Sequence, residues 1–524
     1  MAEPRRLLLL GCFFSSGAAG LVYQTAWTQQ FGFVFGASEL AVVAVLAAYM
    51  AGLTLGTAAA ARLVTRVTRP VRAYALLELG VALSALAVPG ALRLATVLQV
   101  QLLGNEPDLP AAGGTASLLF HLTCSFLILL VPTALMGATL PLLVRFAVRT
   151  DDELGRRVGS LYTANTLGAA AGALVAAFVL LPTVGLGRTV LAGTGLNAMA
   201  FLLALPLARF SIAAAAADAP APALVSARSS APTERRWILP LVLVSSAVAF
   251  TYEVLWTRLL TFVLGASIYA FAVMLATFLA GIAIGSALAA RHARTGEDGR
   301  RGFVLAQAGT AILSLAAFHL VNRLPDLATH LTKAGAGPLV SGVCLSALSL
   351  LPGAICMGAT FPFAVRVLAA SASQASAAAA RVYAWSTVGA VVGAVGGGLE
   401  LLPRLRFDGT ILVTSALGAA LAVAAALGAK PLLWRRAALG LVIAVLLVVW
   451  PPQPPWRLLR HSTMGEKFSN DVVFFAVGRS ATVLLHDMDL AWRLTTNGLP
   501  ESAIQAPGTR SSRYGIAHWL SLLA

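Results

Sequence analysis

The chain is poor in charge. Of its 524 residues only 11% are Asp, Glu, Lys or Arg and 58% are hydrophobic, where a soluble domain carries about 25% and about 45–50%. That scarcity excludes a water-soluble enzyme as the bulk of the protein. Cysteine is scarcer still. The four present, Cys12, Cys124, Cys344 and Cys356, lie inside apolar runs without CxxC spacing, so neither a disulfide framework nor a zinc site is implied. Acidic residues are few as well, 21 against 37 basic ones, leaving a formal charge of +16. In a soluble protein such a surplus would raise nucleic-acid binding. Here the arginines cluster in short stretches between apolar runs, the pattern that orients a membrane protein, and no nucleic-acid partner is expected. The histidines are scattered and never fall at i, i+4, so no metal is expected. No Ser/His/Asp or Cys/His arrangement and no phosphate loop occurs, so no catalytic residue is assigned.

What the chain has is apolar length, with a mean hydropathy of +0.84. Runs long enough for a ~30 Å hydrocarbon core begin near Leu7, Leu40, Ala73, Leu118, Gly159, Val190, Trp237, Ile268, Gly302, Pro338, Val382 and Thr410. A thirteenth run, Ala437 to Trp450, is short for a span. The first run mimics a signal peptide but continues to about Phe33, past any cleavage site, and reads as a retained helix. Arginine clusters mark alternate loops: Arg5/Arg6, Arg62–Arg72, Arg145–Arg157, Arg228–Arg236, Arg291–Arg301 and Lys430/Arg435/Arg436. By the positive-inside rule these loops and the N-terminus face the cytoplasm. The expectation is an all-α polytopic protein of a bacterial inner membrane, with the lipid bilayer as its main partner.

An internal repeat sets the architecture. Tyr23-Gln-Thr-Ala-Trp27-Thr recurs as Tyr252-Glu-Val-Leu-Trp256-Thr, an offset of 229. The same offset pairs Gly52 with Gly281, Gly56 with Gly285 and Arg62 with Arg291; Ser16 to Arg62 holds about 20 identities in 47 positions. Further on the offset becomes 221, matching Met136-Gly-Ala-Thr139 to Met357-Gly-Ala-Thr360 and Tyr162, Gly168, Gly172 and Pro182 to Tyr383, Gly389, Gly393 and Pro403. Two halves with an even number of helices must lie parallel, as in major-facilitator-like transporters. The divisions are 1–210 for the first six-helix repeat, 211–236 for an Ala/Pro/Ser-rich linker, 237–429 for the second repeat, 430–455 for a short apolar helix and Pro-rich spacer, and 456–524 for a small β-rich segment. In that segment Val472–Val477, Ala481–Leu485 and Trp492–Thr495 read as strands, Asn497-Gly498 as a turn, and Arg510 to Leu523 as a helix.

These blocks, with Gly478-Arg-Ser-Ala-Thr-Val, Asn497-Gly-x-x-Glu-Ser and Ala517-His518 in the tail, resemble the membrane-fused spermidine-synthase-like family, in which a major-facilitator-like module is joined to an aminopropyltransferase-type domain. The resemblance covers nearly the whole chain. It implies a role in polyamine biosynthesis or handling, with transfer of an aminopropyl group from decarboxylated S-adenosylmethionine to a diamine. It also implies an adenosyl-binding domain after the tail. The sequence stops at Ala524, so that domain is expected to be missing, and no cofactor is expected on the chain itself. Gly185-Leu-Gly187 and Gly396-Gly-Gly398 do not replace it, because both lie at helix ends without strand–turn–helix context.

Ionisable groups inside a membrane are costly and mark sites by default. Glu78 has Gln307 as its repeat counterpart, and Glu253 has Gln24, so each half carries one carboxylate and one amide at the same two positions. Tyr23, Trp27, Tyr252 and Trp256 flank the second position in pairs, and aromatic faces attract ammonium groups. The sharp reading puts Glu78 and Glu253 in one shared cavity binding a polyamine. The bland reading is interhelical hydrogen bonding and core packing. GxxxG spacing at Gly52/Gly56 and Gly281/Gly285 reads as helix packing, and Arg258 as an anchor at a helix end. Three functions remain: the membrane module of a synthase, a stand-alone secondary transporter of a cation such as a polyamine, and a scaffold or sensor. Oligomeric state is open, and so is the side of the tail. Outward placement requires Ala437–Trp450 to span, whereas cytoplasmic adenosyl substrates favour the inner side.

Overall fold

The computed structural model describes residues 3–35, 39–103, 115–217, 235–427, 442, 445–461, 471–479, 481–488 and 491–505. The expected helix from Arg510 and nearly all of the 218–236 part of the linker lie outside them. Helices run in the order α1 (Glu3–Phe35), α2 (Glu39–Leu63), α3 (Pro70–Leu103), α4 (Thr115–Ala147), α5 (Leu154–Val175), α6 (Leu181–Ala217), α7 (Ile238–Leu264), α8 (Ile268–His292), α9 (Gly296–Leu320), the short α10 (Leu324–Lys333), α11 (Pro338–Leu368), α12 (Ala375–Gly396), α13 (Leu402–Ala426) and the single turn α14 (Trp456–Leu459). Helix α6 thus continues seven residues past the expected start of the linker at 211.

Ten helical segments among the described residues are long and apolar enough to cross a membrane. Two of them, Asp151–Arg209 and Ala372–Ala426, run 59 and 55 residues, far beyond the ~20 that one crossing needs. Each is broken at one point of positive φ, Gly185 at 74° and Arg406 at 57°, so each holds two crossings and the segments supply twelve spans. The breaks obey the repeat: 185 and 406 differ by 221, as do the π-helical stretches Ala176–Leu180 and Gly397–Leu401 that precede them. A chain reversal within a few residues demands a left-handed backbone there, which glycine adopts freely and arginine at a cost.

Packing repeats in the same way. In the first half α2 lies on α4, α1 on α5 and α6, and α3 on α6; in the second, α8 lies on α11, α7 on α12 and α13, and α9 on α13. Small residues permit this. A Cβ on Gly168 or Gly172 would strike the carbonyls of Phe14 and Ala18, and one on Gly389 or Gly393 those of Leu243 and Ala247. Gly56 meets Ala134 as Gly285 meets Ile355. The halves join where α5 meets α8 and α12 meets α2. Outward-facing positions are apolar, Leu83, Val131, Leu191 and Leu305 among them, as contact with lipid requires.

The tail forms a four-stranded antiparallel meander, β1 (Val472–Val477), β2 (Thr482–Asp487), β3 (Ala491–Thr496) and β4 (Leu499–Gln505). Asn497 and Gly498, at φ 52° and 81°, give the β3–β4 hairpin the double positive-φ turn that matches strand twist. Strand β4 was not expected, because Pro500 argues against a strand. Its place at the sheet edge tolerates the missing N–H, and the register slips beside it.

The tail sits at the end of the bundle opposite the arginine-rich loops. Arg300, in the first turns of α9, donates to the carbonyls of Ala425, Ala426 and Leu427 and so fixes the end of α13 at the arginine-rich side. Twenty-three residues later Trp450 packs edge-on against His319, in the last turn of α9. Leu427 and Trp450 thus lie at opposite ends of α9, and half of the expected thirteenth run, 437–441, 443 and 444, lies outside the described residues. Beyond it the tail grips the second half. Arg258 of α7 donates to the carbonyls of Gly478, at 2.7 Å, and Arg479. Arg479 pairs with Glu400 at 3.7 Å, Arg457 pairs with Asp326 at 2.8 Å, and the Arg406 guanidinium lies 5.6 Å over the Phe475 ring. The side of the tail, left open by the sequence, is thus the end of the bundle away from the arginine-rich loops, where Arg258 anchors it.

Candidate functional site

A small cavity of about 60 Å³ lies between the halves, bounded by α5, α7, α8, α11 and α12. Its polar lining is hydroxyl: Ser245 and Ser246 of α7, Thr360 of α11, Ser386 of α12 and Tyr162 of α5. Ser246 and Ser386 share a 2.8 Å hydrogen bond. The rest of the wall is aromatic and aliphatic. Phe361 stacks on Tyr162 at 4.4 Å and meets Tyr383 edge-on at 6.2 Å, tying α5, α11 and α12 together. Toward the arginine-rich end the halves are locked. Gly155 lies on Ala293, Gly159 on Ala290, the Ser286 hydroxyl donates to the Gly159 carbonyl at 3.1 Å, and the Ala372 N–H donates to Asp151 Oδ1 at 2.5 Å.

Glu253 continues the cavity-facing row of α7. Ser246, Ala249/Phe250 and Glu253 follow at helical spacing, so the carboxylate stands one turn beyond the cavity wall. It is half-buried, about 22 Å along a helix of about 40 Å, which is mid-depth in the bundle. No described residue hydrogen-bonds or ion-pairs with its carboxylate. Gln24 holds the matching place on α1 and is half-buried as well.

Glu78 is elsewhere. Its side chain is fully buried where α3 meets α1 and α6, and its Oε2 accepts from Asn197 Nδ2 at 2.6 Å. The hydroxyls of Ser16 and Tyr74 adjoin the same carboxyl. Gln307, its counterpart, donates to Ser245 Oγ at 2.6 Å. The structure does not bring Glu78 and Glu253 into one cavity, because Glu78 points into the α1–α3–α6 interior of the first half while Glu253 stands on α7 of the second, one turn beyond the cavity wall. The four aromatics are also placed inward. Tyr23 stacks on Trp27 at 4.9 Å and donates to Thr194 Oγ1 at 3.3 Å, while Tyr252 bonds Ser415 Oγ at 3.0 Å, and all four rings are buried. Tyr23 and Tyr252 thus close the α1–α6 and α7–α13 seams, and Trp27 also meets Tyr49 of α2. Sequence reasoning missed Asn197, Ser246, Ser386 and Phe361. The 221 offset offered a signal for Asn197 and Ser386, whose counterparts are Gly418 and Asn165.

No protein-family model matches the chain, and neither does any curated protein. Among solved structures it is similar to a bacterial homologue of the iron transporter ferroportin in its outward-facing state, at 14% identity over 80% of this chain and 98% of that one, with a TM-score of 0.55. It is also similar to the major facilitator superfamily transporter FucP in its outward conformation, at 14% identity over 82% of this chain and 99% of that one, with a TM-score of 0.50. At that identity the likeness concerns the fold. The chain is a multi-pass membrane protein built on a major-facilitator-like module, with two parallel six-helix halves and a small β-sheet tail.

Proposed function

We propose that the chain is a secondary transporter of a small organic cation, which passes between the two halves at the level of Glu253. The observation that carries this reading is a carboxylate at mid-depth on α7, without a partner among the described residues and one turn beyond a hydroxyl-lined cavity. A carboxylate in that position is costly without a counter-charge, and a cationic solute supplies one. The fold supports the reading because such halves hold substrate at their interface. A polyamine suits the chemistry, since its methylenes match Phe250 and Phe361 and its ammonium groups match Glu253 and the hydroxyls. The arginine-rich loops support a cytoplasmic N-terminus in a bacterial inner membrane, which puts the tail outside. Proteoliposomes loaded with buffer and given labelled spermidine or an uncharged sugar test the reading. Uptake of the amine, lost in Glu253→Gln, is expected; sugar uptake without amine uptake overturns the cation.

A synthase-related role is the second reading, carried by the resemblance of the tail to the segment ahead of an aminopropyltransferase domain. On the topology above, the tail faces away from cytoplasmic adenosyl substrates, so we read it as a structural cap and give transport precedence. Binding of decarboxylated S-adenosylmethionine to the purified chain would reverse that order.

A further inference from the structure

Two buried oxygens at the α1–α3–α6 junction have no hydrogen-bond donor among the described residues: Glu78 Oε1 and Asn197 Oδ1. They belong to partners already joined on the other side, because Asn197 Nδ2 donates to Glu78 Oε2 at 2.6 Å. Both residues are at most 1% exposed. An orphaned acceptor in such a place carries a desolvation penalty, and two on one bonded pair call for a single occupant that satisfies both. Among the described residues no cationic side chain acts on the carboxyl. The titratable groups facing the carboxyl are Cys12 and Tyr23 of α1 and Tyr74 of its own helix; α6 contributes the Asn197 amide. The Tyr74 hydroxyl is committed to the Cys12 carbonyl at 3.1 Å, and the Ser16 hydroxyl adjoins the carboxyl without bonding Oε1.

The second half shows what the same framework looks like without this need. At the repeat offsets Ser16, Tyr74, Glu78 and Asn197 become Ser245, Phe303, Gln307 and Gly418. There Gln307 donates to Ser245, and Gly418 lies against Ala311 and the Gln307 backbone. The acid, the amide opposite it and the phenol beside it have gone together. Packing alone is met by the second arrangement, so the first is kept for something packing does not require.

We propose that Glu78 and Asn197 form a proton-binding site. A proton on Oε1 turns the orphaned acceptor into a donor, and Asn197 Oδ1 is the orphaned acceptor on the residue that already bonds Oε2. Acid and amide then make a closed pair with two hydrogen bonds and no net charge, the form that an apolar, cation-free interior tolerates. The site lies in the interior of the first half, away from Glu253, and the inference stands whether or not the cavity carries a cation.

The test is infrared difference spectroscopy of the purified full chain in lipid nanodiscs. A protonated-carboxyl band is expected at neutral pH, absent in Glu78→Gln, retained in Glu253→Gln and shifted in Asn197→Leu, which removes the paired amide. Gln307 at the equivalent position indicates that glutamine fits the framework. Should Glu78→Gln nevertheless fail to fold, the Asn197→Leu shift decides alone. A band unchanged in both variants overturns the proposal. So does thermal stabilisation by sodium over potassium chloride that Glu78→Gln abolishes, since the occupant is then a metal ion.

Discussion

The two halves share a backbone and differ in where they keep polar groups. Close approaches are reproduced residue for residue: Gly137 on Leu53 and Gly358 on Ile282, Tyr23 on Thr194 and Tyr252 on Ser415. Chemistry is divided. The first half encloses its acid in the α1–α3–α6 interior and leaves a glutamine, Gln24, half-buried on α1; the second encloses glutamine and leaves Glu253 half-buried on α7. The contact of the first helix of each half with its fifth follows suit, with Gly17 against the Asn165 carbonyl where the second half sets Ser246 against Ser386. Duplicated packing fixes how helices approach, and the polar positions between them are then free to diverge.

The largest expected effect tests the shared part. A methyl on Gly56 would come within 1.8 Å of the Ala134 carbonyl oxygen, and one on Gly285 within 1.8 Å of that of Ile355. Helix backbone cannot yield as a side-chain tip does, so Gly56→Ala and Gly285→Ala should each destabilise by about 1–3 kcal/mol or more. Gly90→Ala, where nothing lies within 4 Å, serves as control and should be neutral or better. Thermal melts followed by size-exclusion would show it. Unequal losses from Gly56→Ala and Gly285→Ala would break the symmetry of packing.

The next test concerns the divided part. Gln307→Glu places a carboxyl beside Phe303 and Gly418, with only Ser245 within reach, whereas Glu78→Gln leaves an amide among three polar neighbours. The first should cost about 1–3 kcal/mol more than the second, measured by melting in one detergent. Equal costs would mean that the Asn197/Gly418 and Tyr74/Phe303 differences do not set what each site accepts.

A smaller effect separates the halves at their paired breaks. Arg406 occupies, at φ 57°, the position that Gly185 holds at φ 74°. The left-handed backbone costs a non-glycine residue about 1–2 kcal/mol, and the Phe475 contact of the guanidinium offsets part of it. Arg406→Gly should therefore stabilise the membrane bundle slightly while loosening the tail, seen as faster protease cleavage after Trp450. If the tail stays as protected as in the unaltered protein, the cation–π contact does not hold it.

The twelve spans, the repeat and the hairpin turn were legible because they rest on local periodicity, glycine spacing and the Asn497-Gly498 signature. The breaks at Gly185 and Arg406 were not read from the sequence, though they obey its 221 offset. The site was less legible. Helical spacing places Glu253 on a face but does not say which face meets the other half, and it cannot distinguish that from the interior position of Glu78. Aromatics beside a carboxylate read as a cation box until Thr194 and Ser415 show where Tyr23 and Tyr252 are committed. Strand β4 was hidden by Pro500, which only an edge position allows. The tail's side stayed open because a run of 14 apolar residues is too short to show a crossing by itself.

The smallest expected effect is a pH dependence confined to the tail junction, a feature described only in the second half. His461 follows α14 and lies beside the β3–β4 turn, its carbonyl 3.3 Å from where a Cβ on Gly498 would sit. Burial pushes its imidazole below the usual histidine range, with Asp326 opposing weakly. A histidine depressed in the docked state binds more protons when the tail is released. It therefore contributes stability that is fully present above its released value of about 6.5, and that stability is lost as pH falls toward the docked value. Acidification should loosen the tail while the bundle stays folded, which is the opposite of what a histidine gaining an acidic partner would give. Hydrogen exchange of the β1–β4 amides across that range reads it directly. His461→Leu should flatten the profile; a tail that tightens on acidification would show that Asp326, rather than burial, governs the imidazole.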